Sequence, residues 1–452
     1  MLKKLLCLFL FPALCFSQAE DSITIKKIFD HSLAKGKGYA WLDYLSNKIG
    51  SRLSGSEGAD KGVQWCLEES KKISDNAFLQ EVMVPHWVRG EKEKAYYVVN
   101  GKKTEVNICA LGGSIATPLS GLTANVVEVK NFDELKSLGT EKIKGKIVFY
   151  NRPMDVTRIH CFEAYGGAVN QRGGGALHAA KYGAVGVVVR SMTQEIDKYP
   201  HTGAMRYDDS IPRIPACAIS TLEANELSFL LKKDANVQFY FKQSCNTLPD
   251  KLSHNVIADL KGSEFPDEII LVGGHLDSWD LAQGAHDDGA GIVQSMEVLS
   301  LFRELNIKPK RTIRFVGFMN EENGVRGANK YAEVAKEKKD KHIAAIESDA
   351  GGFVPRGFFM EGDETKRNKI KSWAKLFEPY NLHSWDHVGS GTDVHPLGEQ
   401  GAFLLGLSPD PQRYFDVHHS ALDVFEMINR RELQLGAASM AALVYMIDKY
   451  GL

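Results

Sequence analysis

LVGGHLDSWDLAQGAHDDGAG, residues Leu271 to Gly291, carries an apolar strand into a dense set of metal-binding side chains. Ile269 to Val272 form a continuous apolar run after Pro266 and Asp267, the pattern of a strand buried on both faces of a sheet. Gly273 and Gly274 then allow a turn, and His275 and Asp277 follow at alternate positions. Alternate residues of a strand share a face, so the Asp277 carboxylate is expected to reach the far nitrogen of the His275 ring and fix its tautomer. Beyond a loop, Ala285-His286-Asp287-Asp288-Gly289 leads into Ile292, Met296 and Leu299, one apolar face of a helix. Asp287 thus stands where loop becomes helix. Taken alone, each residue has an ordinary use, an aspartate as a helix cap and a histidine as a hydrogen-bonded turn residue. The pattern gains meaning only if further ligands gather at other strand ends.

They do. Thr312 to Phe318 is a second apolar run and ends in Met319-Asn320-Glu321-Glu322; His342 to Ile346 is a third and ends in Glu347-Ser348-Asp349-Ala350-Gly351-Gly352. Phe415-Asp416-Val417-His418-His419-Ser420 adds a late histidine pair, followed by Asp423 and a helix marked by Leu433, Leu435, Ala438 and Met440. Strands alternating with helices predict an α/β layered domain with a mixed, largely parallel sheet flanked by helices, whose site lies outside the carboxyl ends of the strands. Adjacent glutamates usually form a solvated pair. After a buried strand, one can bind a metal while the other faces the water that metal holds. Nitrogen and carboxylate donors without thiolate suit zinc and admit manganese or cobalt.

The remaining chain frames this domain. Lys3 and Lys4, the apolar run Leu5 to Phe16 and then Ser17-Gln18-Ala19 have the pattern of a cleavable export signal, and no later apolar run reaches membrane-spanning length. The mature protein is expected to be exported, periplasmic or secreted, and free of the membrane. A formal net charge of -2 with 25% charged residues gives no electrostatic case for nucleic acid. Cys66, Cys109, Cys161, Cys217 and Cys245 are scattered without a Cys-x-x-Cys, which supports neither a zinc knuckle nor a dense disulfide framework. Ser56 reads as a helix start. Phe78 to Val84 and Lys94 to Val99 alternate as strands of an antiparallel edge. A Gly, Ser, Thr and Pro-rich change of character from Cys109 to Thr117 suggests a boundary, after which runs to about Leu248 read as strands with one clear helix. Gly173-Gly174-Gly175 reads as a tight turn, not a phosphate loop, because no Lys-Ser or Lys-Thr follows.

The strings Gly274-His275-Leu276-Asp277, Gly284-Ala285-His286-Asp287-Asp288-Gly289, Asn320-Glu321-Glu322, Glu347-Ser348-Asp349-Ala350-Gly351 and His418-His419-Ser420 together resemble the M28 family of zinc peptidases. Pro200-His201-Thr202-Gly203, Ile214-Pro215 and Ser390-Gly391-Thr392-Asp393 extend the likeness over nearly all of the mature chain, toward the carboxypeptidase branch of that family. The resemblance implies a zinc exopeptidase fold with two Zn2+ ions: His275 and Asp349 on one, Glu322 and His419 on the other, and Asp287 bridging, with a cis peptide between Asp287 and Asp288. It implies Glu321 as general base and Asp277 as the residue orienting His275, with His286 and His418 as neighbours only. The stretch Ala179 to Val189 with Ile214 to Ser220 resembles a protease-associated domain, in such families a wall beside the site. The implied division is a signal at 1–19, a catalytic domain at 20–110 and 250–452, and a β-rich protease-associated insertion at 111–249. The implied substrates are short peptides, dipeptides with free termini among them, and the implied assembly is a homodimer. An aminopeptidase would use the same centre. A single-zinc glutaminyl cyclase would lack part of the five-ligand set, and a non-catalytic binding protein of the same fold would lack ligands or Glu321; here all are present.

Overall fold

The computed structural model describes residues 6–234 and 236–452, with side chains from residue 19 onward. The expected export signal at 1–19 lies, but for part of its backbone, outside the described residues. Among the described residues, no helix is long and apolar enough to cross a membrane.

A seven-stranded sheet organises the larger unit. Its spatial order is Asn76–Val88, Asn246–Leu260, Arg311–Phe318, Phe265–His275, Lys341–Glu347, Phe403–Pro409, Pro355–Glu361. The four strands from Arg311–Phe318 to Phe403–Pro409 run parallel, and antiparallel strands close both edges, which gives the expected mixed α/β architecture. The expected double burial of Ile269 to Val272 holds. Ile270 and Val272 pack with Ile292, Met296 and Leu299 of the helix Ala290–Glu304 and with Met440 and Val444 of the helix Arg430–Tyr450. Ile269 and Leu271 point the other way, onto Tyr331, Ala332 and Ala335 of the helix Arg326–Lys338. Each such side chain withdrawn from water stabilises the fold by about 1.5–3 kcal/mol, so this strand is held from both sides.

Register then sets the level of the site. His275 lies opposite Phe318, and Gly273 lies opposite Glu347. Three parallel strands therefore finish together, and the residues that follow them leave from one edge.

A second, eight-stranded sheet occupies the middle of the chain, in the order Lys102–Val106, Lys94–Val99, Gln238–Lys242, Leu122–Val129, Ile147–Tyr150, Gly186–Arg190, Ala216–Ile219, Ile108–Ala110. It begins earlier than the change in composition suggests. Lys94–Val99 pairs with Gln238–Lys242 instead of edging the main sheet, and Tyr96 stacks on Tyr240 with ring centroids 4.5 Å apart. Alternation identifies a strand but carries no information about its partner. This unit also holds more than the one helix expected: Phe132–Ile143, Cys161–Ala168, Asn170–Ala180 and Thr221–Leu231.

The glycines 173–175 are not a turn; they lie inside the helix Asn170–Ala180. Gly175 explains their presence, because a Cβ there would stand 2.9 Å from the Tyr150 ring, and the Tyr150 hydroxyl donates to the Gly175 carbonyl at 3.0 Å. Close helix-on-strand packing outweighs the modest helix-propensity cost of glycine. Ser56 does cap the helix Glu57–Ile73, its hydroxyl accepting from the Ala59 N–H at 3.1 Å.

Leu271→Ala is expected to lower the free energy of unfolding by about 2–5 kcal/mol, since the site cannot collapse between two packed layers. Urea melts of the two proteins measure the difference.

Candidate metal centre

The carboxyl ends of the parallel strands bring the sequence-predicted ligands together. His275 ends its strand, and Asp287 follows in the turn Ala285–Gly289 before the helix Ala290–Glu304. Glu321 and Glu322 come just after Arg311–Phe318, and Asp349 comes two residues after Lys341–Glu347. His419 arrives from Phe403–Pro409 by way of a short helix, Tyr414–Val417.

The result has a shared centre. The Asp287 Oδ1 lies 3.1 Å from the His275 Nε2, and its Oδ2 lies 3.3 Å from the His419 Nε2. The His275 Nε2 is also 3.5 Å from the Asp349 Oδ1, and the His419 Nε2 is 3.1 Å from the Glu322 Oε2. Each histidine nitrogen thus faces two carboxylates, one its own and one common to both. The peptide between Asp287 and Asp288 is cis. Such a set suits zinc: imidazole nitrogens and carboxylate oxygens converge, and the two oxygens of Asp287 face two different rings. His275, Asp287 and Asp349 form one group that could hold an ion, and Asp287, His418 and His419 form another. His418, expected only as a neighbour, thus stands within reach, its Nε2 3.7 Å from Asp287, while Glu322 joins through His419 Nε2 at 3.1 Å.

Surrounding groups hold these side chains by their backbone. The expected contact between the Asp277 carboxylate and the His275 ring is not the main one. His275 Nδ1 donates to the Asp277 backbone carbonyl at 3.0 Å, and the carboxylate stands 3.7 Å away. The Asp277 carboxylate instead accepts from the N–H groups of Asn320, Glu321 and Glu322 at 2.7, 3.1 and 3.4 Å. The strand stops at His275, so the alternation on which that expectation rested stops too. Asp277 still fixes the His275 tautomer, through its carbonyl, and it also anchors the turn that bears both glutamates.

Sequence reasoning left other supports without a role. Asp288 accepts from the His275 and Gly291 N–H groups at 3.0 and 2.9 Å, the cap that its position allows. Asp423 accepts from the N–H groups of His286 and Asp287 at 2.6 and 3.1 Å. Fully buried Arg52 donates to the carbonyls of Leu276, Gln283 and Gly284 at 2.8, 2.7 and 2.9 Å, pinning the loop between His275 and Asp287. Neither Asp423 nor Arg52 carried a local motif, and only their distance in sequence hid them. Of the neighbouring histidines, His286 accepts from the Gly352 N–H through Nδ1 at 3.1 Å, and His418 stacks on His419 with centroids 3.5 Å apart.

The electrostatics follow from burying so many carboxylates. Burial pushes Glu321 well above the usual carboxylate range, and it raises Glu322 to about 7 with help from Asp287. Burial opposes charge on His419 as well, but Glu322 and Asp287 overcome it and raise the imidazole to about 10. Asp287 goes the other way: burial works against its charge, yet His275 and His419 hold it well below the ordinary value. The metal-free cluster therefore grips protons where cations fit.

A model of peptidase family M28 matches residues 255–444. Carboxypeptidase Q of Homo sapiens is 35% identical over 92% of this chain and 86% of its own length, and that of Rattus norvegicus is 36% identical over 91% and 85%. A solved structure of a peptidase M28 precursor from Shewanella amazonensis superposes with a TM-score of 0.90 at 32% identity, covering 95% of this chain and 97% of that one. A zinc aminopeptidase from Bacillus subtilis shares the fold, with a TM-score of 0.65 at 19% identity over 90% and 93%. The fold and its converging histidines and carboxylates are those of a zinc exopeptidase, and the chain belongs to peptidase family M28. Within that family its similarity to carboxypeptidase Q extends over most of the chain.

Zinc uptake by the metal-free protein is expected to release protons, because His419 near 10 and Glu322 near 7 must lose theirs to serve as ligands. A raised pKa means tighter competition from the proton, so apparent zinc affinity should climb as pH rises from about 7 toward 9. Calorimetric titration in buffers of different ionisation enthalpy counts those protons.

Proposed function

We propose that this chain is an exported di-zinc exopeptidase that hydrolyses short peptides, dipeptides with free termini among them. The observation that carries the reading is Asp287, whose two oxygens face two different histidines, each flanked by its own carboxylate. In this reading His275 and Asp349 would hold one zinc ion, His419 and Glu322 the other, and Asp287 both. When bound, the two ions supply Lewis acidity toward water and toward the scissile carbonyl.

The protein's own groups do the rest. Glu321 carries the chemistry of a general base: among the described residues its side chain enters no ion pair, while its backbone N–H donates to the Asp277 carboxylate at 3.1 Å. Its carboxylate takes the proton of the attacking water and delivers it to the leaving amine, base first and acid second. Asp277, through three N–H groups, keeps Glu321 and Glu322 in one turn so that proton transfer and metal binding stay in register. Asp423 holds the backbone of Asp287, and Thr202 from the second unit accepts the His419 Nδ1 proton at 3.3 Å. No covalent link to the enzyme is required.

Similarity over most of the chain to carboxypeptidase Q supports carboxy-terminal selectivity, and the second sheet is read as the protease-associated insertion. The resemblance of residues 1–19 to an export signal supports export. The family likeness supports a homodimer.

Glu321→Gln should lower kcat by roughly two to four orders of magnitude, the usual contribution of a positioned proton-transfer group, with zinc content unchanged. Activity assays paired with elemental analysis test this. A panel of dipeptides presented free, N-acetylated and C-amidated tests end selectivity. Loss of cleavage on amidation alone supports the carboxypeptidase reading, and loss on acetylation alone replaces it with an aminopeptidase.

A further inference from the structure

Arg172 lies on the helix Asn170–Ala180 of the second unit, nearly buried, and its hydrogen-bond partners are neutral. Its Nη2 donates to the Tyr165 hydroxyl at 2.7 Å, its Nη1 donates to the Thr202 carbonyl at 3.4 Å, and its Nε is buried with no hydrogen-bond partner among the described residues. The same Nη1 stands 3.5 Å from the His419 Nδ1, whose own distance to the Thr202 carbonyl is 3.3 Å. A histidine that offers Nε2 to a metal must keep its proton on Nδ1, and a protonated Nδ1 cannot accept from a guanidinium. Arg172 and His419 are therefore both donors, and the Thr202 carbonyl is the acceptor they share.

Three further sets of contacts hold this carbonyl in place. Gly203, next to it, adopts φ 134°, and a Cβ there would stand 2.3 Å from the Arg172 Cζ, so the chain passes flat against the guanidinium only because the residue is glycine. His419 itself has φ 60°, a left-handed conformation uncommon outside glycine. It is secured from the second unit, where the Thr202 N–H donates to the His419 carbonyl at 2.8 Å and the His201 Nδ1 donates to the His418 carbonyl at 2.6 Å. Arg89 ties the other side, pairing with Asp280 at 2.6 Å and donating to the Ala110 carbonyl at 2.7 Å, which also accepts from the Thr202 hydroxyl at 2.8 Å.

We propose that Arg172 is a positioning residue for the metal ligand His419, fixing the Thr202 carbonyl that takes the His419 Nδ1 proton, so that the second unit completes the metal centre instead of only walling it. This rests on the reading of His419 as a zinc ligand. Arg172 stands at the Nδ1 of His419, whereas the Nε2 is the atom that faces Asp287 and Glu322. Its effect passes through one carbonyl to one of the two ions, and that asymmetry is what distinguishes it from packing.

The test uses the full mature chain as wild type, Arg172→Met, Arg172→Lys and Tyr165→Phe, each stripped of metal and titrated with zinc and with cobalt. Bound ions are counted, the visible cobalt spectrum recorded, the melting temperature of the metal-free protein measured, and kcat separated from KM. The expected result is that Arg172→Met weakens one ion by about 10–100-fold, the usual effect of losing a group that orients a ligand, while the other ion binds as before. The cobalt spectrum should change for that site alone, kcat should fall with KM little altered, Arg172→Lys should recover part of the loss, and Tyr165→Phe should shift the same quantities less. Affinities for both ions unchanged from wild type in Arg172→Met overturn the proposal. So does loss of both ions together with a lower melting temperature of the metal-free protein, which assigns Arg172 to packing. A wild type that takes up only one ion, or none, overturns the two-zinc reading itself and this proposal with it.

Discussion

Several carboxylates gathered at one buried edge repel one another and lose their hydration, and that cost shapes everything around them. The molecule meets it by dividing the labour. Asp277, Asp288 and Asp423 are answered by backbone N–H groups: those of residues 320–322, of His275 and Gly291, and of His286 and Asp287. Asp287, Glu322 and Asp349 are left facing imidazole nitrogens. The first group holds the chain still, and the second is kept free for cations. Each depends on the other, because a carboxylate aimed at a metal is useful only if the backbone beneath it does not move.

Rigidity comes from below. Parallel strands buried on both faces place their ends at fixed heights, and the pairing of His275 with Phe318 and of Gly273 with Glu347 aligns three of those ends. The loops that leave them are short, except the one from His275 to Asp287. That loop is where Arg52 sits, its guanidinium spread over three carbonyls of the loop. Burial lowers the pKa of Arg52 to about 10, and the field of Asp423 and Asp277 works to keep its charge. A cation beneath a nest of carboxylates thus serves the fold and the site together.

The second unit meets the centre through the loop 201–203 against His418 and His419, and through Tyr165 and Arg172 of its helices beside the same two histidines. Its free cysteines are buried, and burial lifts the Cys109 thiol to about 12, so they act as small core residues and not as nucleophiles. What this unit offers the site is a carbonyl for one histidine ring, an N–H for its carbonyl, and the side chains of His201 and Arg172 beside them.

The sequence by itself determined the mixed α/β fold and the gathering of His275, Asp287, Glu321, Glu322, Asp349 and His419. His275, Glu321, Glu322 and Asp349 lie just past the ends of apolar runs, Asp287 where a loop becomes a helix and His419 in a late histidine pair, and such runs and transitions are local properties that a sequence displays directly. It did not determine which sheet Lys94–Val99 joins, that glycines 173–175 lie inside a helix, or that the Asp277 carboxylate reaches for the glutamate turn instead of the His275 ring. Nor did it give Arg52, Asp423 or Arg172 a role. Those were decided by tertiary structure, because strand partners, close packing against Tyr150 and the nearest unsatisfied N–H all come from residues distant in the chain, and no local pattern records what folding brings alongside.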